Sequence, residues 1–186
     1  MDVLVIPGSL RSGSYNVRLA SLAVKELALS GATVTRLSLA DYPLPIYDGD
    51  LEAEKGVPEP ARRLARHFLA HDAILIVSPE YNAGVSALVK NTIDWVSRVG
   101  MEPFRAAVFG LAAASPGGFG GLRGLISLRQ SLELELGALV VPEQMLVPRA
   151  GAAFDADGAF VDPKMADRLR SMLRALLARA AAQKRI

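Results

Sequence analysis

The chain opens on four apolar residues in a row, Val3 to Ile6, closed by Pro7 and Gly8. A short apolar run bounded by turn residues predicts a buried strand that ends in a tight turn. Leu19, Leu22, Ala23, Val24 and Leu27 then recur at helical spacing, with Gly31 as a stop. The same alternation repeats along the chain. Thr33 to Leu39 predicts a second strand, Pro58 or Pro60 opens a helix that reaches His71, and Ala73 to Val77 (AILIV) predicts a third strand apolar on both faces. A helix burying Leu88, Val89, Ile93 and Val96 follows. Ala106 to Ala113 then predicts a fourth strand, Leu122 to Leu136 a helix, Ala138 to Val141 a fifth strand and Pro163 to Gln183 a closing helix. Residues 42–58 and 142–163, with their prolines and glycines, read as irregular.

Five strands alternating with helices predict an α/β fold, a doubly wound parallel sheet of order 2-1-3-4-5. With 186 residues, 51% of them hydrophobic, a single domain over 1–186 with a sizeable core is expected. In this architecture ligands bind beyond the carboxyl ends of the strands, where the strand order reverses. For order 2-1-3-4-5 that point lies between the first and third strands.

Composition narrows the chemistry. The absence of cysteine removes disulfides and thiolate nucleophiles. The first residues carry no basic region and too short an apolar stretch for a secretory signal, and no run is long enough to span a membrane, so a cytoplasmic protein is expected. The formal charge of +2 hides a basic closing helix, which carries Arg168, Arg170, Arg174, Arg179, Lys184 and Arg185. These interleave with leucines at helical spacing and without aromatics, which reads as a solvated helix face and not as a nucleic-acid surface. His67 and His71 stand four apart without a Glu between them or an evident third ligand, so surface histidines are expected and a metal site is not. Lys90 and Asp94 read as an i,i+4 ion pair, and Trp95 as a core or interface aromatic.

Two loops carry most of the candidate chemistry. After Gly8, the residues Ser9, Arg11, Ser12, Ser14 and Asn16 gather three hydroxyls, an amide and a guanidinium ahead of a helix. Free N–H groups and the positive end of a helix dipole suit a phosphate there, and Arg11 supplies charge. Neither GxxxxGK[ST] nor GxGxxG is present. The plain alternative is an ordinary strand-to-helix turn capped by Ser14 or Asn16. The second loop, after Val77, runs SPEYNAG, with Pro79 and Gly84 fixing the turn and Glu80, Tyr81 and Asn82 projecting from the strand. A third, SPGGFGG at 115–121, adds glycines beside them. No GxSxG elbow or Ser-His-Asp set can be assembled. Phosphate donors beside Tyr, Asn and a glycine loop suit a phosphorylated cofactor with a planar ring.

GSLRSGSYN, PLPIYDGD, SPEYNAGVSALVKNTIDWVSR and SPGGFGG together resemble the NADPH-dependent FMN reductase family, flavodoxin-like three-layer sandwiches that include quinone and chromate reductases. The resemblance covers nearly the whole chain. It implies that Ser9, Arg11, Ser14, Tyr15 and Asn16 bind the FMN phosphate and ribityl chain. By the same resemblance Pro79, Glu80, Tyr81 and Asn82 contact the isoalloxazine edge, while Ser115, Gly117 and Gly118 flank the ring. It further implies NADPH or NADH as co-substrate, a small-molecule electron acceptor, and a homodimer or homotetramer. Azo or chromate reduction at the same site, or a flavodoxin-type electron carrier, are the alternatives. The third loop is more glycine-rich than the resemblance leads one to expect, and Phe119 either covers the ring or packs below it.

Overall fold

A computed structural model describes residues 1–184; Arg185 of the basic tail lies outside the described residues. Strands β1 (Asp2–Pro7), β2 (Thr33–Arg36), β3 (Ala73–Val77), β6 (Val108–Ala114) and β7 (Leu139–Val147) form one parallel sheet of order β2-β1-β3-β6-β7. A two-stranded antiparallel ribbon, β4 (Glu80–Tyr81) and β5 (Gly84–Val85), is inserted after β3. Without that ribbon the order is the expected 2-1-3-4-5, and it reverses between β1 and β3.

The central strands alternate strictly between two apolar clusters because successive side chains point to opposite faces. Val3, Val5, Leu75 and Val77 pack beneath α1 (Tyr15–Leu29) and α7 (Pro163–Gln183). Leu4, Ile6, Ile74, Ile76 and Phe109 face α3 (Glu59–Ala70), α4 (Ala87–Ser97) and α6 (Leu122–Gln130). Both faces of β1 and β3 are therefore covered, and every residue of β3 is buried. Trp95 is fully buried on α4, and its Nε1 donates to Pro45 O at 2.7 Å. Lys90 and Asp94 form the expected i,i+4 pair.

Along the rest of the chain the structure also departs from the sequence reading. Segment 42–58 is not wholly irregular: Asp48 caps a helix, α2 (Gly49–Lys55), by accepting from Asp50 N and Leu51 N. Strand β2 stops at Arg36, because Ser38 turns the chain into a short 3-10 turn. Strand β7 does not stop at Pro142. A register irregularity sets Phe109 opposite Val140 but Leu111 opposite Gln144, so the proline falls in a bulge on an edge strand, where its missing N–H costs no ladder bond. Helix α6 passes into a π turn over Ser131–Glu135, which keeps Leu132 in the core and leaves Leu134 81% exposed.

The basic face of α7 is partly used within the fold. Arg170 pairs with Asp167 at 2.6 Å and reaches Glu26 of α1, and Lys184 Nζ lies 2.7 Å from Asp72, below β3. Tyr42 Oη and His67 Nε2 share a 2.9 Å hydrogen bond that fastens the segment before α2 to α3. Burial lowers the His67 pKa, and neighbouring His71 and Arg63 add to the effect. No helix among the described residues is long and apolar enough to cross a membrane.

Candidate active site

The loops after β1, β3 and β6 leave the same edge of the sheet and are hydrogen-bonded to one another. Gly8 N donates to Val77 O at 2.8 Å, and Ser78 N donates to Ala112 O at 2.9 Å. Ser86, the N-cap of α4, donates its hydroxyl to Gly8 O at 3.2 Å. The approach at Gly8 is close enough that a Cβ there would meet Val89 Cγ2 at 2.4 Å and Ser78 Cα at 3.3 Å. Glycine is therefore required for the first loop to reach the third strand. Asn16 completes the fastening: its Nδ2 donates to Ala114 O at 2.9 Å and its Oδ1 accepts from Ala114 N at 2.8 Å.

Within the first loop the sequence-predicted residues divide by role. Ser9 is buried and its Oγ accepts from Arg11 N at 3.4 Å, which shapes the turn. Ser14 occupies the N-cap position of α1 with extended backbone and is only 2% exposed, yet its hydroxyl makes no capping bond. The first N–H groups of α1 thus have neither an intrahelical acceptor nor a side-chain cap. Arg11 and Ser12 are exposed, and among the described residues Arg11 forms no ion pair. Asn16 has both ends of its amide engaged by Ala114. Tyr15 is half-buried, and its hydroxyl faces Gly151, 3.3 Å from where a Cβ on that glycine would sit.

The loop after β3 is built differently. Glu80 pairs with Val85 and Tyr81 with Gly84, so the turn is Asn82-Ala83, a two-residue hairpin whose residues both have positive φ, 49° and 64°. The turn therefore sits at Asn82-Ala83 and not at Gly84, which is a strand residue. A two-residue hairpin needs this left-handed pair; Asn tolerates it, while Ala at the second position is strained. Tyr81 is 53% exposed at the tip. Glu80 turns away to α6: Arg123 Nε donates to its Oε1 at 2.8 Å, and Arg123 N and Gly124 N donate to Oε2 at 2.9 and 3.2 Å. The carboxylate thereby caps a helix whose own N-cap, Gly121, has no side chain to do so. Burial opposes its charge, but the Arg123 guanidinium and the two backbone N–H groups outweigh that and hold Glu80 below the usual carboxylate range.

In the third loop Ser115 Oγ accepts from Gly117 N at 3.2 Å. Gly117 and Gly118 are exposed, and nothing lies within 4 Å of a Cβ built on Gly118. Phe119 is 67% exposed with the Arg123 guanidinium 5.5 Å from its ring centre, so it lies at the surface and does not pack below the loop.

A family model described as NADPH-dependent FMN reductase matches residues 1–152. The chain belongs to that family. It is 39% identical over 178 residues to an NAD(P)H-dependent FMN reductase of Pseudomonas aeruginosa, covering 95% of this chain and 93% of the relative. A quinone reductase of Pseudomonas putida is 36% identical, with 97% and 92% covered. Among solved structures, the flavoenzyme NAD(P)H:(acceptor) oxidoreductase FerB of Paracoccus denitrificans superposes with a TM-score of 0.79 at 30% identity, over 97% of both chains. The donor set in this FMN reductase family member fits the flavin mononucleotide that the family name implies. Uncapped helix N–H groups, the Ser12 and Ser14 hydroxyls and an unpaired arginine suit a phosphate dianion, and an open glycine backbone suits the face of a ring.

Sequence reasoning missed three parts of this edge. The Ser86 lock was available in principle, since a serine ahead of a helical apolar run is an N-cap signal. The Arg123 partner of Glu80, 43 residues away, and the Ala114 backbone that holds Asn16, 98 residues away, left no local signal.

Proposed function

We propose that the protein is an FMN-dependent NAD(P)H oxidoreductase that passes hydride from NAD(P)H through bound FMN to a quinone, free flavin or similar small acceptor. What carries this reading is the α1 N-terminus. Its N–H groups carry no side-chain cap and Arg11 beside it forms no ion pair among the described residues, at an edge where three strand loops are hydrogen-bonded together. When bound, FMN supplies the hydride and electron transfer through its ring. The α1 N–H groups, with Ser12, Ser14 and Arg11, hold the phosphate charge. The backbone from Pro79 to Asn82 would border the ring edge, where the N–H groups of Glu80, Tyr81 and Asn82 would favour negative charge on the reduced ring. Ser115, Gly117 and Gly118 would flank the ring, with no side chain on the two glycines to obstruct it. Ser9 and Asn16 act on the flavin through the loop they shape, and Tyr15 contributes its backbone N–H.

The names of the relatives, FMN reductase and quinone reductase, support these acceptors. The 186 residues work as one FMN-binding unit, as a homodimer or homotetramer in the cytoplasm. Light scattering on the purified protein tests the assembly. The decisive experiment records the flavin spectrum of the purified protein and follows its bleaching by NADPH and by NADH without oxygen, then adds a quinone. Bleaching followed by reoxidation is the expected result. A colourless protein that takes up no added FMN overturns the proposal.

A further inference from the structure

Beside the candidate active site lies a hollow of about 260 Å3, walled by Pro148, Ala152, Val161 and Met165. Its side chains are apolar except for Arg149 and Asp162. Asp162 is engaged as the cap of α7, its Oδ1 accepting from Lys164 N at 2.9 Å. Arg149 is exposed, and among the described residues it has no carboxylate partner. Its backbone is nevertheless held at φ 48°, a left-handed conformation that residues with a Cβ rarely adopt.

The restraint comes from the glycine loop. Arg149 N donates to Gly117 O at 3.1 Å, and Ala150 N donates to Ser115 O at 3.0 Å. These two bonds strap the wall of the hollow to the loop assigned to the flavin ring. Glycine is the residue this backbone alone would favour. The arginine instead sets a cation at the rim of an apolar hollow, beside the loop assigned to the flavin ring.

We propose that this hollow receives the adenosine end of the nicotinamide co-substrate and that Arg149 pairs with the 2′-phosphate of NADPH. The inference rests on the FMN-dependent reading above. An apolar wall suits the purine, and a guanidinium matches a phosphate dianion with two parallel N–H donors. NADH carries a hydroxyl at that position and offers Arg149 no charge. Arg149 therefore discriminates between the co-substrates without touching the transferred hydride.

Arg149→Gly is the variant of choice, because glycine relaxes the left-handed backbone and keeps the N–H that bonds Gly117. In the FMN-loaded protein the NADPH-to-NADH ratio of kcat/KM is expected to fall about tenfold, and Arg149→Lys to recover part of it. Calorimetric titration of the same holoprotein with adenosine 2′,5′-bisphosphate gives a reading independent of turnover: affinity falls in Arg149→Gly, whereas that for adenosine 5′-diphosphate does not. An unchanged co-substrate ratio, or unchanged affinity for the bisphosphate, overturns the assignment while leaving the flavin reading intact. A protein that binds FMN but oxidises neither nicotinamide, or that binds no FMN, overturns both.

Discussion

The loops after β1 and after β3 stand side by side on one edge of the sheet and treat their polar groups in opposite ways. The first leaves them open: α1 is uncapped, Ser14 makes no capping bond and Arg11 has no partner among the described residues. The second closes on itself, with both Glu80 oxygens taken by Arg123 and the start of α6 and its turn held in a strained left-handed pair. A loop that is to receive a charged group must keep donors unpaired until the ligand arrives, at some cost to the free protein. A loop that is to present a backbone edge to a ring has to be rigid beforehand, and here Glu80 is turned inward to hold the shape.

That contrast makes opposite predictions for mutation on the two sides. Glu80→Ala should have the largest effect on stability, a loss of about 2 to 3 kcal/mol, because it leaves two helix N–H groups and a guanidinium without their acceptor. Chemical denaturation measures it, and a loss under about 0.5 kcal/mol would mean the clamp does not hold the hairpin. Arg11→Ala should leave stability within about 0.5 kcal/mol of wild type and weaken FMN binding roughly tenfold to a hundredfold. Fluorescence titration with FMN reads this, and equal affinities would remove the phosphate role.

Acid titration sharpens the same comparison. Glu80 is held below its unfolded value, so its stabilising contribution is present above the ordinary carboxylate pKa of about 4.3 and is lost as pH falls through the lower folded value. The stability gap between wild type and Glu80→Gln should therefore be full near neutrality and shrink below about pH 4; a gap that stays constant into acid would show that the carboxylate charge contributes nothing. The smallest effect is expected at the turn. Ala83→Gly should raise stability by about 0.5 to 1 kcal/mol, since glycine accepts positive φ freely. A lower melting temperature for that variant would argue that the turn is not strained.

Much of this edge was legible in the residues. The alternation of strands and helices follows from apolar periodicity, and with order 2-1-3-4-5 the rule for doubly wound sheets brings the loops together between β1 and β3, as observed. The failures have local causes. Pro142 reads as a strand end because a missing N–H normally breaks a ladder, but a bulge on an edge strand tolerates it. Gly84 reads as the turn because glycine usually takes positive φ, yet the hairpin register gives that role to Asn82 and Ala83. The Pro- and Gly-rich stretch before Pro58 hides a helix whose cap, Asp48, is ordinary but whose length is a mere two turns.

What the sequence by itself determined is most of the set of elements and the kinds of groups brought to the edge, since periodicity fixes which face of each element is buried. What only the tertiary structure decided is which of those groups are already engaged. Asn16, Glu80 and Arg11 look alike as polar loop residues, but the partners of the first two lie 98 and 43 residues away, and Arg11 has none among the described residues. Hydrogen-bond partners at such separations are set by the packing of the whole sheet, and no local pattern carries them.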